Sequence, residues 1–266
     1  MAITVNTNIH ALAAQRNVAR TQLDTQTSIQ RLSSGLRINM AKDDAAGLAV
    51  AQRMEGQARG AAVAQRNIGD GMSALNVADS ALRDIGDMLH RMRELTVQSE
   101  TGTYSDADRA LLDEEYQQLA KEVSAAQVRA TFNGQAAVGG KWDVVAGANG
   151  EKITISAGIK IGFGGNVGNI KTSGAASTSR GTISSALTQV AQGLAKIGSF
   201  QSRLEKAMSV AMAVEEQQWG ARGRIMDADF ARETSKMTSS QVIQQAGVSA
   251  LAQANQIPQM ALSLLR

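Results

Sequence analysis

Between Asp43 and Gln98 the apolar residues fall in a seven-residue repeat. Met54, Ala61, Ile68, Leu75, Leu82 and Leu89 stand seven apart, and Ala64, Gly71, Ala78, Ile85 and Met92 sit three residues after five of them. This is an a/d seam uninterrupted by proline, and it predicts one straight helix packed lengthwise against partner helices. Some fifty residues at ~1.5 Å each span roughly 75–85 Å, well beyond the ~30 Å diameter of a small domain. The expected fold is therefore mainly α: a long antiparallel helical bundle or coiled-coil rod.

The residues available for its core are of an unusual kind. Of the 266 residues 43% are hydrophobic but only 3% aromatic, so Ala, Leu, Ile, Val and Met must fill it. Cysteine is absent, which excludes disulfides, thiol nucleophiles and Cys-based metal sites. The formal charge of +3 is spread as interleaved basic and acidic residues, the pattern of a solvated mixed-sign surface and not of a nucleic-acid patch. Residues 1–20 lack a basic segment followed by an unbroken apolar one, so no cleaved signal peptide is expected. No apolar run is long enough to span a bilayer, and membrane insertion is not expected. A dedicated export machine would have to carry such a chain out of the cell.

Before the seam, Val5, Leu12 and Ala19 repeat at seven, with Ile9 and Leu23 on the neighbouring row, and after a phase slip Ile29, Leu32 and Leu36 continue it. This reads as a separate amphipathic helix from about Val5 to Leu32, ending at the Ser33-Ser34-Gly35 breaker. A connector through Ile38, Asn39 and Met40 leads to the long helix, whose first turn Asp43 or Asp44 can cap. The chain turns at Ser99 to Ser105, and Ser105 with Asp108 resembles a capping box. Leu112, Tyr116, Leu119, Val123 and Ala126 then form the buried stripe of a helix antiparallel to the long one.

From Thr131 to Gly181 there are twelve glycines. Lys141 to Val145, Glu151 to Ser156 and Ile159 to Phe163 read as short strands with a hairpin turn at Asn149-Gly150, giving a small β-hairpin region in mid-chain. Gly164 to Arg180 reads as loop. Helical periodicity returns with Ile183, Leu187, Val190, Leu194, Ile197, Leu204, Met208 and Ala211, and Gly220 to Asp229 reads as a second connector. A last helix follows from about Phe230 to Leu265. Between Lys236 and Arg266 it has no charged side chain, while Ile243, Ala246, Ala250, Ala254, Ile257, Ala261 and Leu264 form a stripe. An uncharged amphipathic helix suits a place where identical copies crowd together, because buried charges cost several kcal/mol each. Pro258 removes one of its backbone hydrogen bonds.

Enzymatic constellations fail. His10 and His90 lie on different helices and outside any His-Glu-x-x-His spacing. Gly134 to Lys141 misplaces the lysine of a phosphate loop, and Trp142 stands where Ser or Thr is required. Gly162, Gly164 and Gly168 miss the dinucleotide spacing by one. Asp43-Asp44 and Asp227-Ala-Asp229 each open a helix with no converging third ligand, which is the pattern of caps. No catalytic, cofactor or metal site is expected.

Two longer stretches carry a resemblance. Ile29-Gln-Arg-Leu-Ser-Ser-Gly-Leu-Arg-Ile-Asn39 followed by Ala41-Lys-Asp-Asp-Ala-Ala-Gly47 resembles the N-terminal signature of bacterial flagellin. Gln244-Gln-Ala-Gly-Val-Ser-Ala-Leu-Ala-Gln-Ala-Asn-Gln-Ile-Pro-Gln259, closing on Leu262-Ser-Leu-Leu-Arg266, is similar to the flagellin C-terminus. The likeness covers about residues 1–135 and 181–266, and Arg222-Gly-Arg-Ile-Met-Asp-Ala-Asp229 departs from the usual Ser-Arg-Ile form at Gly223.

The resemblance implies a subunit that self-polymerises into the flagellar filament for motility, in a short form lacking large outer domains. In that family the terminal helices pair as a coiled coil lining the inner tube and are disordered in the free monomer. Residues 1–42 and 226–266 would supply those helices, Ile9, Leu12, Leu23, Ile243, Ala250, Ile257 and Leu264 being their polymerisation residues. Residues 43–180 and 181–225 would be the N- and C-terminal parts of the rod. Leu89-His-Arg-Met-Arg-Glu-Leu-Thr-Val-Gln98 is similar to a segment that packs between protofilaments and is read by a flagellin-sensing Toll-like receptor. Arg91, Leu95 and Glu115 would make those contacts, although His90 stands where glutamine is commoner. Implied partners are other copies of the chain, the export apparatus and its chaperone, and the hook-junction and filament-cap proteins. The implied location is the extracellular filament, reached without a cleaved signal peptide. Alternative readings are a hook–filament junction protein and, of another class, a secreted amphipathic protein acting on membranes.

Overall fold

The computed structural model describes residues 8–156, 161–162 and 167–263, with side chains up to residue 256 in the last stretch. In chain order the described elements are α1 (Ile9–Ser34), α2 (Ala45–Glu100), α3 (Asp106–Arg129), β1 (Thr131–Phe132), β2 (Gln135–Ala136), β3 (Lys141–Val145), β4 (Lys152–Ser156), α4 (Ser173–Met226) and α5 (Phe230–Ser263). The class is mainly α, with two antiparallel two-stranded hairpins. The chain divides into a terminal unit, Met1–Gly56 with Gln217–Arg266, and a middle unit, Gln57–Glu216.

Helix ends follow from local chemistry. Asn8 caps α1 by accepting the Ala11 N–H at 3.0 Å, and α1 stops at Gly35, whose φ of 70° a side chain would resist. The paired acids before α2 divide the work. Asp44 accepts the Gly47 N–H at 2.8 Å as the cap, and Asp43 accepts the N–H groups of Asn39 and Met40 at 3.1 and 3.0 Å. Those backbone donors, Met40 first, hold the Asp43 carboxyl below its ordinary range. The Ser105–Asp108 capping box is present at α3, and the Ser105 hydroxyl and N–H lower the Asp108 carboxyl likewise.

The middle unit is built on the α2 seam. Ala61, Ala64, Ile68, Gly71, Leu75, Ala78, Leu82, Ile85, Leu89 and Met92 are all buried. Tyr116 and Val123 of α3 and Ile183, Val190, Ile197 and Leu204 of α4 join them in one cluster. Antiparallel pairing is pinned by Arg91 to Glu115 (2.9 Å) between α2 and α3, and by Gln201 to Asn76 (3.0 Å) and Arg180 to Glu100 (2.9 Å) between α4 and α2. The β3–β4 hairpin adds Val144, Ile153 and Ile155 to the same core. Glycine lets it lie against α2: a Cβ on Gly71 would stand 2.8 Å from Val144 Cγ2. The segment before α4 is tied to α3 by the Tyr116 hydroxyl, which donates to Val167 O at 2.8 Å, and by Asp113, which accepts the Ile170 N–H at 2.9 Å.

Of five expectations, four differ in the structure and the third lies largely outside the described residues. First, β1 and β2 were not expected; Asn133 (φ 48°) and Gly134 (φ 77°) make the two-residue turn whose backbone demands an Asn-Gly pair. Second, β3 and β4 are joined by 146–151, a longer loop than a tight Asn149-Gly150 turn, because Val145 pairs with Lys152. Third, the expected strand Ile159–Phe163 lies largely outside the described residues, as does the start of the first helix at Val5. Fourth, residues 173–180, expected as loop, are the first turns of α4; the small residues Ala176 and Ser179 extend its buried seam where large apolar residues are missing. Fifth, the second connector shrinks to 227–229, since α4 runs through Gly220 and Gly223 to Met226. Helix α5 passes through Pro258 without ending.

In the terminal unit the two connectors meet. Leu36 and Asp227 form an antiparallel bridge, Arg37 N–H donates to Met226 O at 2.6 Å and Ala228 N–H to Gly35 O at 2.9 Å. Ile38, Ala51 and Met226 are buried beneath this crossing. Arg222 lies 3.3 Å from the Glu55 carboxylate and 5.4 Å from the Trp219 ring centre.

Candidate assembly surfaces

Helices α1 and α5 pair antiparallel: Ser28 meets Glu233, and the Asn8 amide donates to Ala254 O at 2.8 Å. Their inward positions alternate by three and four, as a coiled-coil seam must. On α1 these are Ala11, Ala14, Val18, Thr21, Thr25, Ser28 and Leu32; on α5 they are Glu233, Met237, Ser240, Gln244, Gly247, Leu251 and Ala254. Most are small or polar. Thr21 and Thr25 satisfy their hydroxyls on Asn17 O and Thr21 O, at 2.6 and 2.9 Å. The helices approach so closely that a Cβ on Gly247 would stand 2.8 Å from Val18 Cγ2.

Apart from Val18, Leu32, Met237 and Leu251, the described large apolar residues of the pair are turned to solvent. Ile9, Leu12, Leu23 and Ile29 on α1, and Phe230, Val242, Ile243 and Val248 on α5, are each more than half exposed. Ala250 is exposed too, the Ile257 side chain and Leu264 lie outside the described residues, and of the expected C-terminal stripe Ala254 turns inward. A run of apolar side chains this exposed marks a surface that another molecule covers. Ile9, Leu12, Leu23 and Ile243 were among the expected polymerisation residues; Ile29, Phe230, Val242 and Val248 were not. The signal was available: Glu233, Ser240, Gly247 and Ala254 stand seven apart, and that small-residue row is the one that faces α1.

On the middle unit Arg91 and Glu115 are exposed and joined by a 2.9 Å ion pair, and Glu94 sits 3.1 Å from Arg91. The Glu115 side chain, and after it Glu94, raises the Arg91 guanidinium above its ordinary range. Leu95 is not beside them on the surface: it is fully buried. A four-residue spacing puts Arg91 and Leu95 on adjoining turns, but Leu95 borders the seam at Met92 and Thr96 and rotates into the core. The apolar residue presented here is Val97, 52% exposed, in a groove of about 510 Å³ with His90, Arg93, Glu94, Gln98 and Thr101. His10 and His90 are both surface residues. Among the described residues no group of three metal-ligating side chains converges, and no helix is long and apolar enough to cross a membrane.

Long helices closed by heptad seams, with apolar rows turned outward, define a helical structural subunit. Comparison with known proteins gives the family. The bacterial flagellin N-terminal helical region matches residues 5–143 and the bacterial flagellin C-terminal helical region matches residues 181–265. Flagellin FlaB2 of Treponema pallidum is 36% identical over 98% of this chain and 99% of its own length. A flagellin of Halalkalibacterium halodurans is 37% identical over the same shares, and the flagellar filament 33 kDa core protein of Treponema phagedenis 35%. A crystal structure of Bacillus cereus flagellin aligns with a TM-score of 0.49 and 29% identity, covering 55% of this chain and 88% of that one. The chain belongs to the bacterial flagellin family. It is a structural subunit of the flagellar filament, a polymer of identical copies, and not an enzyme.

Proposed function

We propose that polymerisation is driven by the outward faces of the α1–α5 pair, with residues 1–42 and 226–266 forming the inner layer of the filament and 43–225 the outer one. The observation that carries this is the inversion of the terminal unit: its seam is mostly small and polar while Ile9, Leu12, Leu23, Val242 and Ile243 face out. Covering each such side chain contributes about 1.5–3 kcal/mol, and only a neighbouring copy is present in the numbers a filament requires. The lack of charge between Lys236 and Arg266 supports the same placement, because copies can crowd there without burying ions.

The exposed Arg91–Glu115 pair forms a second contact between copies and is the surface a flagellin-sensing Toll-like receptor reads. The chain leaves the cell through the flagellar export apparatus, delivered by an export chaperone and without a cleaved signal peptide. It assembles outside between the hook-junction and cap proteins. The test is deletion of Gln241 to Arg266. The truncated chain stays soluble and helical by circular dichroism, and forms no filaments under the electron microscope. Filaments of normal diameter from that chain would overturn the assignment.

A further inference from the structure

We propose that Glu233, buried between Ser28 and Arg31, is a determinant of the register of the α1–α5 pair. Glu233 is 7% exposed and Ser28 fully buried, with the Ser28 hydroxyl donating to Glu233 Oε1 at 2.7 Å. Arg31 Nη1 stands 3.9 Å from Glu233 Oε2. The Arg31 Nε–H is shielded from solvent and finds no acceptor among the described residues, so this guanidinium is held to the carboxylate by position more than by a full set of hydrogen bonds. Glu233 is the one charged side chain at the inward positions of either helix.

Other contacts share in that register, among them the fit of Gly247 beside Val18 and the backbone bonds at the Leu36–Asp227 crossing, but along the rest of the seam position is read weakly. Alanine, threonine, serine and glycine repeat along it at heptad spacing, and a slip of seven residues, about 10 Å along the axis, sets similar side chains opposite one another. A carboxylate cannot slip so freely. In one direction Glu233 would face Thr21, whose hydroxyl is already committed to Asn17 O; in the other it would face Gly35, which has no side chain to donate. Either way a buried charge loses its donors, and a single buried polar group is the best-attested means by which coiled coils select register. The consequence rests on the assembly reading above. The rows on α1 and α5 form one outward surface only in the native register, and a slip would offset Leu12 and Leu23 from Val242 and Ile243 by about two helical turns.

The chain has no cysteine, so introduced pairs are its only thiols. Val18→Cys with Gly247→Cys reports the native register; Val18→Cys with Ser240→Cys or with Ala254→Cys reports the two slipped ones. Each variant is copolymerised with an excess of the cysteine-free chain, oxidised, and run denatured, where an intramolecular disulfide shifts the monomer band. With Glu233 present the native pair closes at least about tenfold more than either slipped pair. Glu233→Gln, which keeps an acceptor for Ser28, preserves that preference. Glu233→Leu keeps the helices paired but lowers the preference for the native disulfide by at least about threefold. An unchanged preference for the native disulfide in Glu233→Leu would overturn the proposal, and so would loss of all three, since Glu233 would then support pairing and not register. Failure of the assembly reading looks different: Leu12→Asp would polymerise normally while the disulfide pattern stayed native.

Discussion

The two heptad seams of this chain use opposite residues. In the middle unit Ile68, Leu75, Leu82, Ile85 and Leu89 meet Tyr116, Val123, Ile183 and Leu204, and all are closed to solvent. In the terminal unit the same three-four spacing is filled mostly by small or polar residues such as Ala14, Thr21, Ser28, Ser240 and Gly247, with Val18, Leu32, Met237 and Leu251 among them, while Ile9, Leu12, Leu23, Val242 and Ile243 stand outside. The periodicity fixes which residues share a face, but not whether the large ones face in or out. That choice separates a unit that covers its own apolar residues from one that leaves rows of them exposed.

The comparison breaks most readily at Leu89. Leu89→Ala empties a fully buried position, and a loss of about 2–5 kcal/mol is expected in denaturant unfolding followed by helical circular dichroism. A loss under about 0.5 kcal/mol, the size of a surface change, would mean that the middle unit is not self-sufficient. Overpacking comes next. Gly71→Ala places a methyl 2.8 Å from Val144 Cγ2, and the hairpin must shift from α2 at about 1–3 kcal/mol, seen as faster amide exchange in β3 and β4.

A smaller effect belongs to the α3 cap. Ser105→Ala removes the acceptor for the Asp108 N–H and should cost about 1 kcal/mol. Its pH dependence has a definite sign. The Asp108 carboxyl is lowered by Ser105 in the folded chain, so the stabilisation is complete above the ordinary carboxylate range and is lost as pH falls through the lowered value. Asp108→Asn should therefore flatten the acid limb of the stability curve and leave it unchanged in slope at neutral pH. A variant as acid-sensitive as the parent would remove Asp108 from that account.

The α2 seam was legible because its large apolar residues and its buried residues are the same: ten of its positions, from Ala61 to Met92, follow the heptad and all are inside. The caps at Asp44 and Ser105 were legible for a similar reason, being local chemistry. The terminal seam was not, because partner choice is not local. Ile243 and Leu23 look like core residues in any single-chain reading, and Gly247 and Ser240 look like filler. Only the close approach of α1 and α5, which Gly247 permits beside Val18, shows that the small row is the contact. Leu95 failed in the opposite way. Its spacing from Arg91 suggested a shared outer face, whereas the turn of the helix carries it into the core. The start of α4 was hidden because Ala176 and Ser179 continue a seam without looking apolar.

The smallest expected change on the isolated chain is the most discriminating. Leu23 is 64% exposed, so Leu23→Ser should shift the unfolding free energy of the chain by no more than about 0.5 kcal/mol. On the proposed assembly a neighbour covers the same side chain, and losing a buried leucine there removes about 1.5–3 kcal/mol per subunit added. The critical concentration for polymerisation, read from the subunit left in solution after sedimentation of filaments, should rise about tenfold or more. Thr21→Ala, two residues away on the inward row, should do neither by that much, since its hydroxyl bonds only its own helix. If Leu23→Ser instead lowered chain stability and left the critical concentration alone, Leu23 would be packed within its own chain. The terminal unit would then be a second self-contained core, and the contrast with the α2 seam would vanish.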